Sequence, residues 1–291
     1  MKTNTLFLFF ALLLLSCNRM EDPSGKIPAD PSGKVPIVFT AEGDDLNASV
    51  TTKATEVTSL SSFNVLCVTG TAGSSEVQKF NVSFSGSTTF SGGQFWPDSD
   101  PSYKFYASNL AITAASGGPT VSATTATDAV CAFLPSPTYK AESNSLTFNH
   151  IFARIGSCNI SAPTGYTVSS LSVTVTPKTG GTYNLYSGNG KTDGTGWSST
   201  SDGSATTIAS TTGSTSDNNL YLVPGPYTLS ASYTLTKGAY SKSFSKSATV
   251  SLVAGKINNI SSTLPAGDAK DIVFTISITP WEQNSITATF N

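Results

Sequence analysis

The sequence predicts an all-β protein of two β-sandwiches built from mainly antiparallel strands. Three observations carry that expectation. Apolar residues alternate at period two in segment after segment, and helical periodicity does not recur. Clusters of Gly, Pro, Asn and Asp separate those segments, as turns require. The chain has 291 residues, which as a prior is about two domains. Its composition agrees: charged residues are 12% of the chain, against about 25% in an average soluble domain. The 45 Ser and 41 Thr take the place of charge, and Thr has high strand propensity without apolar cost on a solvated face.

The elements follow in order. Residues 1–17 read MKTNTLFLFFALLLLSC, with Lys2 ahead of an unbroken apolar run from Leu6 to Leu15. The run is too short for a bilayer span, which needs about 20 residues, and it matches the core of a secretory signal. It ends Leu14-Leu15-Ser16-Cys17, which resembles a bacterial lipobox. Residues 1–16 are therefore expected to be a lipoprotein signal peptide and Cys17 the lipidated residue, an anchor without a transmembrane helix. Residues 17–36 carry Asp22-Pro-Ser-Gly-Lys26 and Asp30-Pro-Ser-Gly-Lys34. This short tandem repeat has no apolar face and reads as a tether.

From Ile37 the strands begin. Phe63-Asn-Val65-Leu-Cys67-Val68, Phe80-Asn-Val82-Ser-Phe84 and Tyr103-Lys-Phe105-Tyr-Ala107 are expected strands of the first sandwich, residues 37–163. Ser161-Ala-Pro163-Thr-Gly165 is the break between the two halves. The second sandwich, residues 164–291, contains Leu171–Val175, Tyr227–Leu235 and Ile272–Ile278, and a loop or hairpin excursion rich in Gly and Ser over 188–215. Each half is large enough to hold one sandwich.

The same residues exclude much chemistry. A net charge of -2 argues against nucleic acid as a partner. The single histidine, His150, rules out multi-histidine zinc sites and reads as structural, since no acid or nucleophile motif lies beside it in the chain. No phosphate loop, dinucleotide fingerprint or nucleophile elbow is present, so neither an enzyme nor a cofactor is expected. Cys67, Cys131 and Cys158 lack metal or redox spacing and read as buried small hydrophobes. An oxidising compartment would allow one disulfide among them, and the sequence does not choose the pair. Asp98 and Asp100 read as a turn rather than a calcium loop. Trp96, Trp197 and Trp281 read as plugs of a core, with stacking on sugars as the alternative.

The ordered set of motifs resembles one family. Ile37-Val-Phe-Thr40 and Thr52-Lys-Ala-Thr55 come first, then Gln94-Phe-Trp-Pro97 with Tyr103–Ala107. Leu146-Thr-Phe-Asn-His150-Ile-Phe-Ala-Arg154 follows, then Gly181-Thr-Tyr183 with Trp197, Leu220–Pro224, Gly255–Asn258, and a late strand ending near Trp281. Their order is similar to that of fimbrillins, the type V pilins of Bacteroidales, including the minor-fimbrillin-like lipoprotein precursors. The resemblance covers most of the chain. It implies two transthyretin-like β-sandwich domains, no enzyme activity and a surface-exposed place in the outer membrane and fimbrium. It also implies a lipid anchor in that membrane, other pilin subunits as partners, and a host or bacterial surface ligand. In that family an arginine-directed, trypsin-like protease removes the N-terminal strand, and a strand from another subunit fills the groove.

Carried over residue by residue, Ile37, Val38, Phe39 and Thr40 would be the removable strand. Lys53 stands where the family usually has arginine, and would be the cleavage point of a lysine-specific or broadly trypsin-like protease, the alternative being a subunit that stays uncut as an anchor or accessory. The candidate donor strand is Ser285–Asn291, in which Ile286, Ala288 and Phe290 share one face. The same segment reads equally well as the last strand of the second sandwich. The alternative to a polymerising subunit is a surface lipoprotein that binds glycan or another host ligand and does not polymerise.

Overall fold

The computed structural model describes residues 37, 39–43, 62–69, 75–84, 90–91, 96, 102–139, 144–267 and 270–280. Among the described residues there are twenty strands and no helix. The first nine are β1 (Phe39–Gly43), β2 (Ser62–Thr69), β3 (Ser75–Phe84), β4 (Phe90–Ser91), β5 (Lys104–Ser108), β6 (Ile112–Thr113), β7 (Thr120–Thr124), β8 (Val130–Leu134) and β9 (Asn144–His150). Then come β10 (Ala153–Ser161), β11 (Thr167–Val175), β12 (Gly180–Asn184), β13 (Trp197–Ser198), β14 (Thr206–Ala209) and β15 (Gly213–Ser214). The last are β16 (Leu220–Leu222), β17 (Gly225–Lys237), β18 (Tyr240–Leu252), β19 (Lys256–Thr263) and β20 (Thr275–Pro280).

The first lobe is a closed barrel in the order β1-β4-β3-β2-β5-β8-β9. Phe63, Val65 and Cys67 of β2, Phe105 and Ala107 of β5, Val130 and Ala132 of β8, and Leu146 and Phe148 of β9 form its core. Strand β9 alternates buried and exposed residues along its whole length, as a strand with one wet face should.

Strands β2, β5 and β8 depart from that pattern. Leu66, Val68, Tyr106 and Cys131 point away from the barrel core and are buried all the same. A second sheet, ordered β13-β12-β7-β6, supplies the cover. Ile112, Val121, Ala123 and Tyr183 from that sheet join Phe152, Tyr221 and Val223 in a third core cluster. This sheet takes two strands from before residue 163 and two from after it, with Val121 opposite Tyr183.

The second lobe is a sandwich. One sheet runs β14-β11-β17-β18 and the other β15-β10-β19-β20, with β16 also on β10. Tyr227, Leu229, Ala231, Tyr233 and Leu235 alternate into its core, and the β17–β18 hairpin pairs unbroken from Gly225↔Leu252 to Lys237↔Tyr240.

Strand β10 precedes the break at 161–165 yet takes its partners, β15, β16 and β19, from beyond it. Ala153, Ile155, Cys158 and Ile160 pack in the second core, so the change of sheet partners falls at Ile151 and Phe152. A bulge interrupts the β10–β19 register between Ile155 and Cys158. Gly156 sits there because a Cβ would lie 2.5 Å from Asn259 Oδ1 and from Ile257 Cγ2. The Asn259 side-chain Oδ1 instead accepts from Ser157 N at 2.9 Å, which satisfies an amide that the bulge removes from the ladder.

The expected strand at 272–278 begins only at Thr275. Ile272 and Phe274 are buried but lie ahead of the paired segment, because β20 meets β19 only from Thr275↔Ser261 onward.

Candidate functional site: the slot filled by the first strand

Strand β1 occupies one position in the barrel, between β9 and β4. It runs parallel to β9 over five pairs, from Phe39↔Asn144 to Gly43↔Phe148. On its other side Phe39 meets Phe90 of β4, antiparallel. Taking β1 out of this arrangement would leave the facing edges of β9 and β4 unpaired and open the barrel. Just before the strand, Ile37 is 1% exposed and belongs to the barrel core. It sits in a cluster rich in aromatic rings. Phe63 meets Phe148 edge-on at 5.1 Å, and Trp96 lies 5.4 Å from Phe105 and 5.7 Å from Tyr139. The start of β9 is pinned by Asn144, whose side-chain oxygen accepts from Thr138 N at 2.8 Å.

The sequence-derived candidates divide accordingly. Ile37 is in the core, and Phe39 and Thr40 lie on β1 opposite Asn144 and Ser145. Cys17, Val38, Lys53, Ile286, Ala288 and Phe290 lie outside the described residues, as do Asp98, Asp100 and Trp281.

At the other end of β9 the structure places an acid beside His150 that the sequence did not reveal. His150 Nδ1 is 2.8 Å from Asp128 Oδ2, with the two side chains 2% and 0% exposed. Asp128 precedes β8, and the antiparallel pair Val130↔His150 brings it into reach. The surrounding backbone is fixed by Asn109, whose amide donates to Asp128 O at 2.9 Å and whose oxygen accepts from Val130 N at 3.0 Å. Ile151 N donates to Ala129 O at 3.1 Å. Only the strand register, which joins residues 22 apart, could have pointed to this pair.

Trp197 is half-buried at the same junction. It packs on Phe152 at 4.9 Å and Tyr183 at 5.3 Å, and its indole N–H donates to Ile151 O at 3.3 Å. Trp96 is buried. Both act as plugs. Arg154 on β10 is buried and its guanidinium meets the Asp217 carboxylate at 2.5 Å.

The three thiols are free and buried. Burial pushes Cys67 and Cys131 up to about 12 and Cys158 up to about 11, so none is a thiolate nucleophile near neutrality. Among the described residues no group of His, Cys, Asp and Glu could hold a metal ion, and no helix is long and apolar enough to cross a membrane.

A family model described as fimbrillin-like matches residues 39–281. No curated protein matches the chain. Solved structures do. One, described as a candidate cell adhesion protein from Parabacteroides distasonis, superposes with a TM-score of 0.54 at 10% identity over 86% of this chain and 98% of its own. A second candidate cell adhesion protein, from Bacteroides ovatus, has a TM-score of 0.42 at 13% identity over 86% of this chain and 99% of its own. The tip fimbrial protein Mfa3 from Porphyromonas gingivalis, with a C-terminal truncation, has a TM-score of 0.41 at 10% identity, covering 85% of this chain and 100% of that one.

Proposed function

The chain belongs to the fimbrillin-like family, cell-surface proteins of fimbriae and adhesion, and from that premise we propose that it assembles with other subunits by exchange of β1. The observation that carries this reading is the position of β1 between β9 and β4, with Ile37 sunk in the barrel core. A strand lost from that slot exposes two rows of backbone donors and acceptors and a bare apolar cleft. An incoming strand with alternating apolar side chains restores both the hydrogen bonds and the burial. Ile286, Ala288 and Phe290 have that alternation, and Ser285–Asn291 is the proposed donor.

Release of β1 requires a cut between it and β2. The only basic residue in 44–61 is Lys53. The chain has two arginines, Arg19 and Arg154, and Arg154 is buried on β10. The releasing protease is therefore proposed to be one that cuts after lysine, whether lysine-specific or broadly trypsin-like. Cys17 is the proposed lipid attachment point, holding the precursor at the outer membrane until the cut. Loss of labelled palmitate in Cys17→Ser would support that anchor, and full labelling of the variant would end it.

Exchange is tested with a lysine-directed protease and N-terminal sequencing, followed by a fluorescent peptide spanning residues 281–291. The cut is expected at Lys53, with release of β1 and saturable peptide binding to the cut protein alone. Retention of β1 after the cut, or equal peptide binding to intact protein, would refute the reading.

A further inference from the structure

A cavity of about 200 Å³ opens at the junction of the lobes, between the end of β9, the 188–192 loop and the turn before β19. Its buried floor is Ile151, Leu185 and the ring of Tyr183. Its accessible rim includes Asn149, Lys191 and Lys256. The two lysines bring positive charge to the rim, and no carboxylate is among the lining residues, while the exposed Asp193 next to the loop interacts electrostatically with Lys191. The Asp128 carboxylate, which meets His150 of the lining, is fully buried.

The walls are fixed in advance. Tyr183 O–H donates to Gly188 O at 2.6 Å. Gly188 must be glycine, since a Cβ there would lie 2.4 Å from the tyrosine ring. Lys191 N donates to Gly188 O at 3.0 Å, Ala254 N to Thr192 O at 2.9 Å and Gly255 N to Phe152 O at 2.9 Å. A ligand entering such a site orders little that is loose, which lowers the cost of binding.

The volume falls below the range of about 300–1,000 Å³ for drug-sized ligands, so the cavity takes one small unit. An aromatic and aliphatic floor suits the C–H face of a pyranose ring. The rim amide of Asn149 suits hydroxyls, and the lysines among the lining residues suit an anion. We propose that this cavity binds a single carboxylate-bearing monosaccharide, such as the terminal residue of an acidic surface glycan. The site goes beyond strand exchange and does not depend on it.

The test uses the full, uncut chain, so its failure leaves the exchange reading standing. Ligand-observed NMR and calorimetry are run with glucuronic acid and N-acetylneuraminic acid, beside glucose and acetate. The acidic sugars are expected to bind and the neutral sugar and the bare carboxylate to bind far more weakly. Lys191→Gln and Lys256→Gln, checked for unchanged melting, are each expected to weaken binding by about fivefold, the upper range for an exposed charge contact. The inference is overturned if no acidic sugar binds at millimolar concentration, if glucose binds as well, or if both lysine variants bind like the parent.

Discussion

Replacing His150 by leucine tests the junction most directly. Its imidazole and the Asp128 carboxylate are 2.8 Å apart and essentially without solvent contact. Removing the imidazole takes a close polar partner from a carboxyl group held in a medium that solvates it poorly, and breaking such a buried pair costs about 3–5 kcal/mol. That is a large share of the roughly 5–15 kcal/mol that holds a domain folded. Asp128→Asn keeps an acceptor of the same shape in place, so its cost should be smaller, about 1–3 kcal/mol. The double variant should cost less than the two singles together, because each single already forfeits the shared contact. Urea unfolding at neutral pH, followed by tryptophan fluorescence, gives all three values. A His150→Leu loss under about 1 kcal/mol, or strictly additive singles, would refute the assignment of this pair as a buried electrostatic contact.

Other outcomes are equally concrete. Ile37→Ala should lower stability by about 2–5 kcal/mol, read as a fall in urea midpoint; an unchanged midpoint would mean that the residue before β1 does not anchor it. Trp197→Ala should cost about 2 kcal/mol, below the range of about 3–5 for a fully buried tryptophan, measured as a melting shift. The thiols set a dependence at high pH. Their ordinary value is 9.0, and burial raises Cys158 to about 11 and Cys67 and Cys131 to about 12. The unfolded chain therefore sheds these protons first as pH rises. Their contribution is whole below pH 9, then falls by up to about 1.4 kcal/mol per unit for each thiol until the folded value is reached. Urea midpoints across that range should drop less steeply in Cys158→Ala, and an equal slope would count against the assignment.

Much of the second lobe was legible in its residues. Tyr227, Leu229, Ala231, Tyr233 and Leu235 alternate in sequence and alternate into the core, because a single face of β17 is covered. The run Val65-Leu-Cys-Val68 carried a different message. Four apolar residues in succession signal a strand covered on both faces, and the β13-β12-β7-β6 sheet covers the second face. Ile272 and Phe274 show the limit of the pattern, which reports burial and not pairing. Three features were out of reach for a more basic reason. The parallel β1–β9 ladder joins residues about 105 apart, the Asp128–His150 contact joins two strand ends, and the junction cavity is assembled from four separate stretches of chain. Each depends on register between distant segments, and local periodicity carries no register. For the candidate slot, the apolar start at Ile37 was visible in sequence, whereas the position between β9 and β4 required the closed barrel.

The parallel direction of β1 has a mechanical consequence. The chain enters β1 at its N-terminal end, and β9 leaves toward the second lobe at its C-terminal end. A pull applied between those two points draws β1 and β9 in opposite senses along their shared axis. The five residue pairs between them then bear the load together, as in a lap joint, and must yield nearly at once. An antiparallel strand held at the same corner would unzip one pair at a time under far less force. Because forced unfolding is governed by the barrier to unfolding rather than by equilibrium stability, a short ladder of modest thermodynamic worth can still withstand tension applied between the start of β1 and the second lobe.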